Sequence, residues 1–293
     1  MLKTRKLSPT FGLEVCDVDL ATVGEEEFSE IYKLWQQEPL LLFRRQSLHE
    51  SEHVAFSARF GDLDILVRDD MRSSRHPEII YVTGMKRPDG SQLGGLGTYE
   101  IYWHHDQIYR ARPSNGSIFY ALEMPEGDGC TSFCNTSLGY DALPEDLRQK
   151  IEGRKAIAKY GMKTESSTQR DFVTNAAKMA DIHKKTPPVS HPMVLTHPLT
   201  GKKSLYLDPN KTLGIEGYDE DESRQLIKQI TEYMLQDDFI YTHSWRNGDV
   251  VLWDNGRLWH RRDGFDAQQP RFAKRTTVFL NPEDFPVPEP HVA

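Results

Sequence analysis

Trp103-His104-His105-Asp106, read together with Trp259-His260 later in the chain, decides how the remaining residues are interpreted. Two histidines and one carboxylate form the donor set that holds a non-haem iron(II) ion on one face and leaves the opposite face open. In an extended strand, residues two apart share a face. His104 and Asp106 can therefore reach one ion, while His105 points away. The third ligand must come from elsewhere. His260 qualifies, since it follows a strand-like run at 249–253 and a turn at Asn255-Gly256. Two imidazoles and one carboxylate suit iron(II), whereas zinc usually takes more nitrogen or sulfur ligands. The His-x-Asp spacing alone is a weak signal, because 11 histidines and 44 acidic residues can supply it by chance.

Arg271 and Arg275 follow His260 and stand four apart on or beside a strand, so they share a face. Guanidinium forks bind carboxylates in bidentate fashion, and two inward arginines need anionic partners. The competing interpretation is a solvated basic run, since Lys274 lies between them and Arg261 and Arg262 are close by.

The bulk numbers narrow the class. A chain of 293 residues buries a sizeable core without disulfide or metal staples. The net charge of −8 argues against a broad nucleic-acid or anionic-membrane surface, yet leaves room for a small basic pocket. Cys16, Cys130 and Cys134 show no CxxC spacing and no disulfide framework. No apolar run of signal-peptide or membrane-helix length is present. The expectation is a soluble cytoplasmic protein with neither nucleic-acid nor membrane partners.

The elements read as follows. Residues 1–23 are β-rich. Phe28, Ile31, Tyr32 and Trp35 mark a helix over 25–37, stopped by Pro39. Leu40-Leu41-Leu42-Phe43 is a buried strand, and Ser47 with Glu50 reads as a capping box opening a helix that carries Phe56 and Phe60. Strand-like runs recur at 78–83, 117–122, 131–135, 193–197, 204–207, 239–243, 249–253 and 274–280. Pro144 opens a helix ending at Gly153, and Asp219 caps one carrying Leu226, Ile227, Ile230 and Met234. Two segments, near 66–100 (polar, with Gly84, Gly90, Gly94, Gly95 and Gly97) and near 160–192, read as lids over a site. Helices do not alternate regularly with strands. The expected fold is mainly β with helices (α+β): a jelly roll, or double-stranded β-helix, with outer helices, forming one domain over 1–293.

A longer pattern runs through nearly the whole chain: Trp103-His104-His105-Asp106, Gly129-Cys130-Thr131-Ser132-Phe133, Gly139-Tyr140-Asp141-Ala142-Leu143-Pro144, Thr186-Pro187-Pro188, His197-Pro198-Leu199-Thr200-Gly201, Trp253-Asp254-Asn255, His260, Arg271 and Arg275. In content and order it resembles the taurine dioxygenase / 2,4-dichlorophenoxyacetate dioxygenase family of Fe(II)- and 2-oxoglutarate-dependent oxygenases. The resemblance implies that His104, Asp106 and His260 ligate iron. It also implies that Thr131 hydrogen-bonds a carboxylate of the 2-oxoglutarate cosubstrate and that Arg271 clamps its distal carboxylate. Arg275 would lie near the substrate anion or the cosubstrate. Tyr99, Glu100 and Tyr102 would face substrate, with Gln107, Tyr109, Lys159 and Tyr160 as weaker positions. Two departures concern loop detail: Cys130 stands where an acid often precedes the threonine, and Gly256 stands where an arginine often follows Asp-Asn.

The implied reaction uses O2 and releases succinate and CO2 while oxidising, in the first instance hydroxylating, a C–H bond of a small carboxylate or sulfonate. Asp106 fills the carboxylate position, which disfavours halogenation. The alternatives are desaturation or oxidative decarboxylation in natural-product biosynthesis, a non-catalytic jelly-roll binding protein, and a zinc hydrolase, which would need a general base beside a metal-bound water. A homo-oligomer is a common state for soluble enzymes. Cys130 and Cys134 read as core residues, and Trp103, Trp253 and Trp259 as packing around the site.

Overall fold

Leu40–Phe43 is buried at every position because both of its faces are covered. Side chains alternate across a strand. Leu41 and Phe43 meet Phe28, Ile31, Trp35, Phe56 and Phe60 of two helices, while Leu40 and Leu42 meet Phe133 and Leu258 of a second sheet. In the computed structural model, which describes residues 1–160 and 176–289, this strand belongs to a seven-stranded sheet. The order is Lys3–Lys6, Leu13–Cys16, Leu40–Phe43, Val250–Asp254, Gly116–Glu123, Phe272–Val278 and Ile80–Thr83. All its pairings are antiparallel except the one between Leu13–Cys16 and Leu40–Phe43. The facing sheet has four strands, ordered Ile240–His243, Thr131–Asn135, Leu258–Arg262 and Ile101–His104. The two sheets form a jelly-roll core.

Helices cover both outer faces. Glu25–Gln37 buries Phe28, Ile31 and Trp35 on one stripe and places three glutamates in its first turn, where they favour the helix dipole. Full burial of such an apolar side chain contributes roughly 1.5–3 kcal/mol. Across the molecule, Asp219 and Glu222 form a reciprocal capping box that opens Glu220–Met234. Leu226, Ile230 and Met234 of that helix pack on Trp103, Cys134 and Trp259, the outward residues of the four-stranded sheet.

Three local expectations shift, and one expected strand is present. The helix Glu50–Ala58 is capped two residues later than Ser47: Glu52 accepts from the His49 N–H at 2.7 Å. Glu50 is committed elsewhere, accepting from Ser73 and Tyr81 at 2.8 Å. Within the segment near 66–100 the expected strand is present as Ile80–Thr83, an edge strand of the larger sheet. Of the segment near 160–192, residues 161–175 lie outside those described. The remainder contains the helix Ala176–Lys185 and the strand Val189–Pro192, which pairs with Lys155–Ala158. Cys134 is a core residue, whereas Cys130 is half-buried and precedes its strand. Among the described residues no helix is long and apolar enough to cross a membrane.

Candidate metal and cosubstrate site

The site grows from one cross-strand pair. His260 on Leu258–Arg262 stands directly opposite His104 on Ile101–His104. Alternation turns both inward between the sheets and turns Trp103 and Trp259 outward. The two imidazole centroids lie 4.1 Å apart. The strand carrying His104 ends there, so Asp106 does not share a face with it by strand periodicity as expected. A turn does the work instead: Gln107 adopts a left-handed backbone (φ 53°), and its carbonyl accepts from Arg110 N–H at 2.9 Å. Asp106 is thereby brought back, with Oδ1 3.8 Å from His104 Nε2 and Oδ2 3.7 Å from His260 Nε2. One donor atom from each of the three residues lies within 4.8 Å of the others. The donor set is two imidazole nitrogens and one carboxylate, which fits iron(II).

The surroundings prepare these atoms for a cation. His104 Nδ1 lies 2.8 Å from the Tyr102 carbonyl. A carbonyl only accepts, so the ring proton sits on Nδ1 and the Nε2 lone pair faces the site. Burial, with help from Lys211, pushes the His104 imidazolium down to about 4, and burial followed by His104 pushes His260 well below its ordinary value. Burial would raise the Asp106 carboxyl, but the charge of Arg275 above all outweighs it and holds the group ionised. Arg275 Nη1 donates to Asp106 Oδ2 at 2.6 Å. Ser117 donates to the same oxygen at 3.3 Å and accepts from Asn255, whose carbonyl takes the Trp253 indole N–H at 2.9 Å.

A cleft of about 190 Å³ opens over these groups. It is lined by His104, Asp106, His260, Thr131, Arg271 and Arg275, and also by Glu100, Tyr102, Gln107, Tyr109 and Tyr160. Tyr99 and Lys159 are not among the lining residues; the Tyr99 ring lies 5.9 Å from the Arg262 guanidinium, and its carbonyl accepts from Arg262. Trp253 alone of the three motif tryptophans reaches the cleft, its ring 5.0 Å from that of His260. Arg271 is 3 % exposed, and its Nε and Nη1 have no hydrogen-bond partner among the described residues. Burial and then the charge of Arg262 push its pKa down to about 9. A buried guanidinium with unused donors is a ready carboxylate receptor, which fits a dicarboxylate such as 2-oxoglutarate. Thr131 Oγ1 accepts from the Trp245 indole N–H at 2.9 Å, which leaves its own proton to donate.

Several residues escaped sequence reasoning. Asp208 accepts from the His105 N–H at 3.0 Å and Lys211 Nζ at 2.9 Å, Asn210 donates to the Trp103 carbonyl at 2.7 Å, and Lys211 donates to that of His105 at 3.1 Å. The metal-motif strand is an edge strand, and these side chains hold the backbone just where no further strand pairs. In sequence, Asp208-Pro209-Asn210-Lys211 looks like an ordinary turn. Arg262 could have been found by continuing alternation two residues beyond His260. Gly256 has a steric reason, since a Cβ there would collide with the Pro286 carbonyl. The adjacent Arg257 is used in folding: it donates to Asp254 at 2.6 Å and to the carbonyls of Trp35 and Gln36.

Comparison with known proteins agrees with this geometry. The family model described as "Taurine catabolism dioxygenase TauD, TfdA family" matches residues 3–277. An alpha-ketoglutarate-dependent 2,4-dichlorophenoxyacetate dioxygenase of Cupriavidus pinatubonensis is 29 % identical over 93 % of this chain and 96 % of its own length. A pentalenolactone F synthase of Streptomyces avermitilis is 25 % identical over 96 % and 95 %. The crystal structure of a taurine dioxygenase from Burkholderia xenovorans superposes with a TM-score of 0.77 at 26 % identity, covering 96 % of this chain and 90 % of that one. With fold, ordered motifs and length all shared, the chain belongs to the TauD/TfdA family of 2-oxoglutarate-dependent dioxygenases.

Proposed function

We propose that this enzyme hydroxylates a C–H bond of a small anionic molecule, a carboxylate or sulfonate, with residues 1–293 acting as one catalytic unit. The observation that carries the reading is the convergence on one cleft of His104, Asp106, His260 and Arg271, whose Nε and Nη1 have no hydrogen-bond partner among the described residues. In it, His104, Asp106 and His260 hold iron(II), while Thr131 and Arg271 receive the carboxylates of 2-oxoglutarate. When bound, iron and 2-oxoglutarate supply O2 activation, with succinate and CO2 formed as the substrate is oxidised.

The chain's own residues bind, orient and exclude water. Arg275 keeps Asp106 ionised and fixes its rotamer. Leu66, Met71 and Leu96, from the segment near 66–100, make an apolar cover that keeps the cleft dry. Glu100, Tyr102, Tyr109 and Tyr160 form the substrate wall, with Arg275 and Lys211 beside it, each already paired with a carboxylate of the chain. The relatives' names, a phenoxyacetate and taurine (a sulfonate) among their substrates, support a small organic acid. The synthase relative keeps desaturation or another oxidative outcome as the second reading. A reducing cytoplasmic setting belongs to the proposal and is supported by Cys16, Cys130 and Cys134 all being free thiols.

The test is a panel of carboxylates and sulfonates with iron(II), 2-oxoglutarate and O2. Acid-dependent succinate should form in step with an oxidised product, and His104→Ala should abolish both. Neutral molecules stimulating turnover while every acid fails would sink the anionic-substrate reading.

A further inference from the structure

Arg262 is 5 % exposed and has no carboxylate partner among the described residues. Its guanidinium donates instead to three backbone carbonyls of one segment: Leu96 at 2.9 Å, Gly97 at 2.6 Å, and Tyr99. That segment is strained where it is gripped, since Leu96 adopts a left-handed backbone (φ 68°) that a branched side chain rarely tolerates. Leu96 and Glu100 line the cleft.

Arg262 is also tied to Arg271. The two guanidiniums share the Phe265 ring, with Arg262 5.2 Å and Arg271 5.7 Å from its centroid. Phe265 N–H in turn donates to the Thr98 carbonyl at 3.0 Å. Two like charges therefore share one aromatic ring, with carbonyl dipoles beside Arg262 and the Phe119 ring beside Arg271, and no carboxylate pairs with either among the described residues.

The geometry points to Arg262 as a positioning residue that couples carboxylate binding at Arg271 to the hold on residues 96–100, the part of the cleft wall that leads into His104. A carboxylate on Arg271 neutralises one of the two facing charges and removes the repulsion that works against Arg262's grip. The cosubstrate site and the substrate wall then tighten together. This inference rests on the proposed use of Arg271 for 2-oxoglutarate. Thermodynamic linkage makes the coupling reciprocal: whatever factor 2-oxoglutarate adds to the ordering of the segment, the intact grip adds to 2-oxoglutarate affinity.

The test is hydrogen exchange of the amides at 97–100 in the anaerobic iron(II)-loaded enzyme, with and without saturating 2-oxoglutarate, alongside calorimetric titration of 2-oxoglutarate. In the wild type, exchange should slow about tenfold on binding. Arg262→Lys keeps the charge but cannot span three carbonyls; it should lose that protection and bind 2-oxoglutarate more weakly by the same factor. Phe265→Leu, which leaves both charges and removes the shared ring, should show a smaller coupling. Exchange in Gly116–Glu123 serves as the folding control. Binding without slower exchange at 97–100, or protection undiminished in Arg262→Lys, overturns the inference alone. No 2-oxoglutarate binding by the wild type overturns the proposed use of Arg271 and this coupling with it.

Discussion

His260 and His104 are register partners on adjacent antiparallel strands, with ring centroids 4.1 Å apart. The antiparallel ladder itself therefore sets the spacing of two metal-binding nitrogens, and only Asp106 depends on a turn. His260→Ala should lower iron(II) or manganese(II) affinity by more than about 100-fold, since even second-shell losses reach 10–100-fold. Metal titration followed by succinate measurement checks it. Near-wild-type affinity in that variant would remove His260 from the ligand set.

Asp208 reaches the same site from behind. It is fully buried and accepts from the His105 N–H, while its partner Lys211 holds the His105 carbonyl. Asp208→Asn keeps the volume but loses the charge that anchors Lys211. Metal affinity should fall roughly tenfold, as for other second-shell changes, with far-UV circular dichroism unchanged. Unchanged affinity would reduce Asp208 to a folding role.

What could be read in the sequence, and what could not, follows from the range of each signal. His104, Asp106, Thr131, Arg271 and Arg275 sit in short patterns whose order survives without a fold, and Leu40–Phe43 announces its two-sided burial by composition. The strand Leu258–Arg262 is hard to see in the sequence, because Arg261 and Arg262 break any apolar run, although alternation makes Arg262 an inward residue. The brief helix Thr136–Ala142 is too short to show a period: it is one short turn-like stretch opened by the Asn135 side chain accepting from Ser137 and Leu138 N–H. The Asp208–Lys211 clamp lies about a hundred residues from the strand it holds, and no local pattern encodes such a contact.

His53, which does not line the cleft, gives the fold a pH dependence. Burial pushes its imidazolium down to about 4, and its ring sits against the Ile118 carbonyl and the Thr276 hydroxyl. The folded pKa is below the unfolded one, so the native state is favoured above the unfolded value near 6.5 and loses that advantage as pH falls toward 4. Between pH 7 and 4.5 this site should remove roughly 2 kcal/mol of stability. Urea unfolding at both pH values should show a smaller drop for His53→Gln than for the wild type. An equal drop in both would place the acid sensitivity elsewhere.

Arg271 sets function against stability. It is a buried charge whose Nε and Nη1 have no partner among the described residues, with Arg262 raising the penalty. Replacing such a group by an apolar side chain of similar length is often neutral or stabilising by roughly 1–4 kcal/mol. Arg271→Met should therefore raise the melting temperature of the 2-oxoglutarate-free protein. The same change removes two charge-assisted hydrogen bonds to the distal carboxylate, each worth roughly 1.5–3 kcal/mol, so 2-oxoglutarate affinity should fall by at least about 100-fold. Added 2-oxoglutarate should then stabilise the wild type by mass action and leave Arg271→Met unmoved. Scanning calorimetry of both proteins, with and without 2-oxoglutarate, reads both effects together. A variant that melts lower than the wild type yet still gains stability from 2-oxoglutarate would show Arg271 to be a structural cation and send the search for the carboxylate clamp to Arg275.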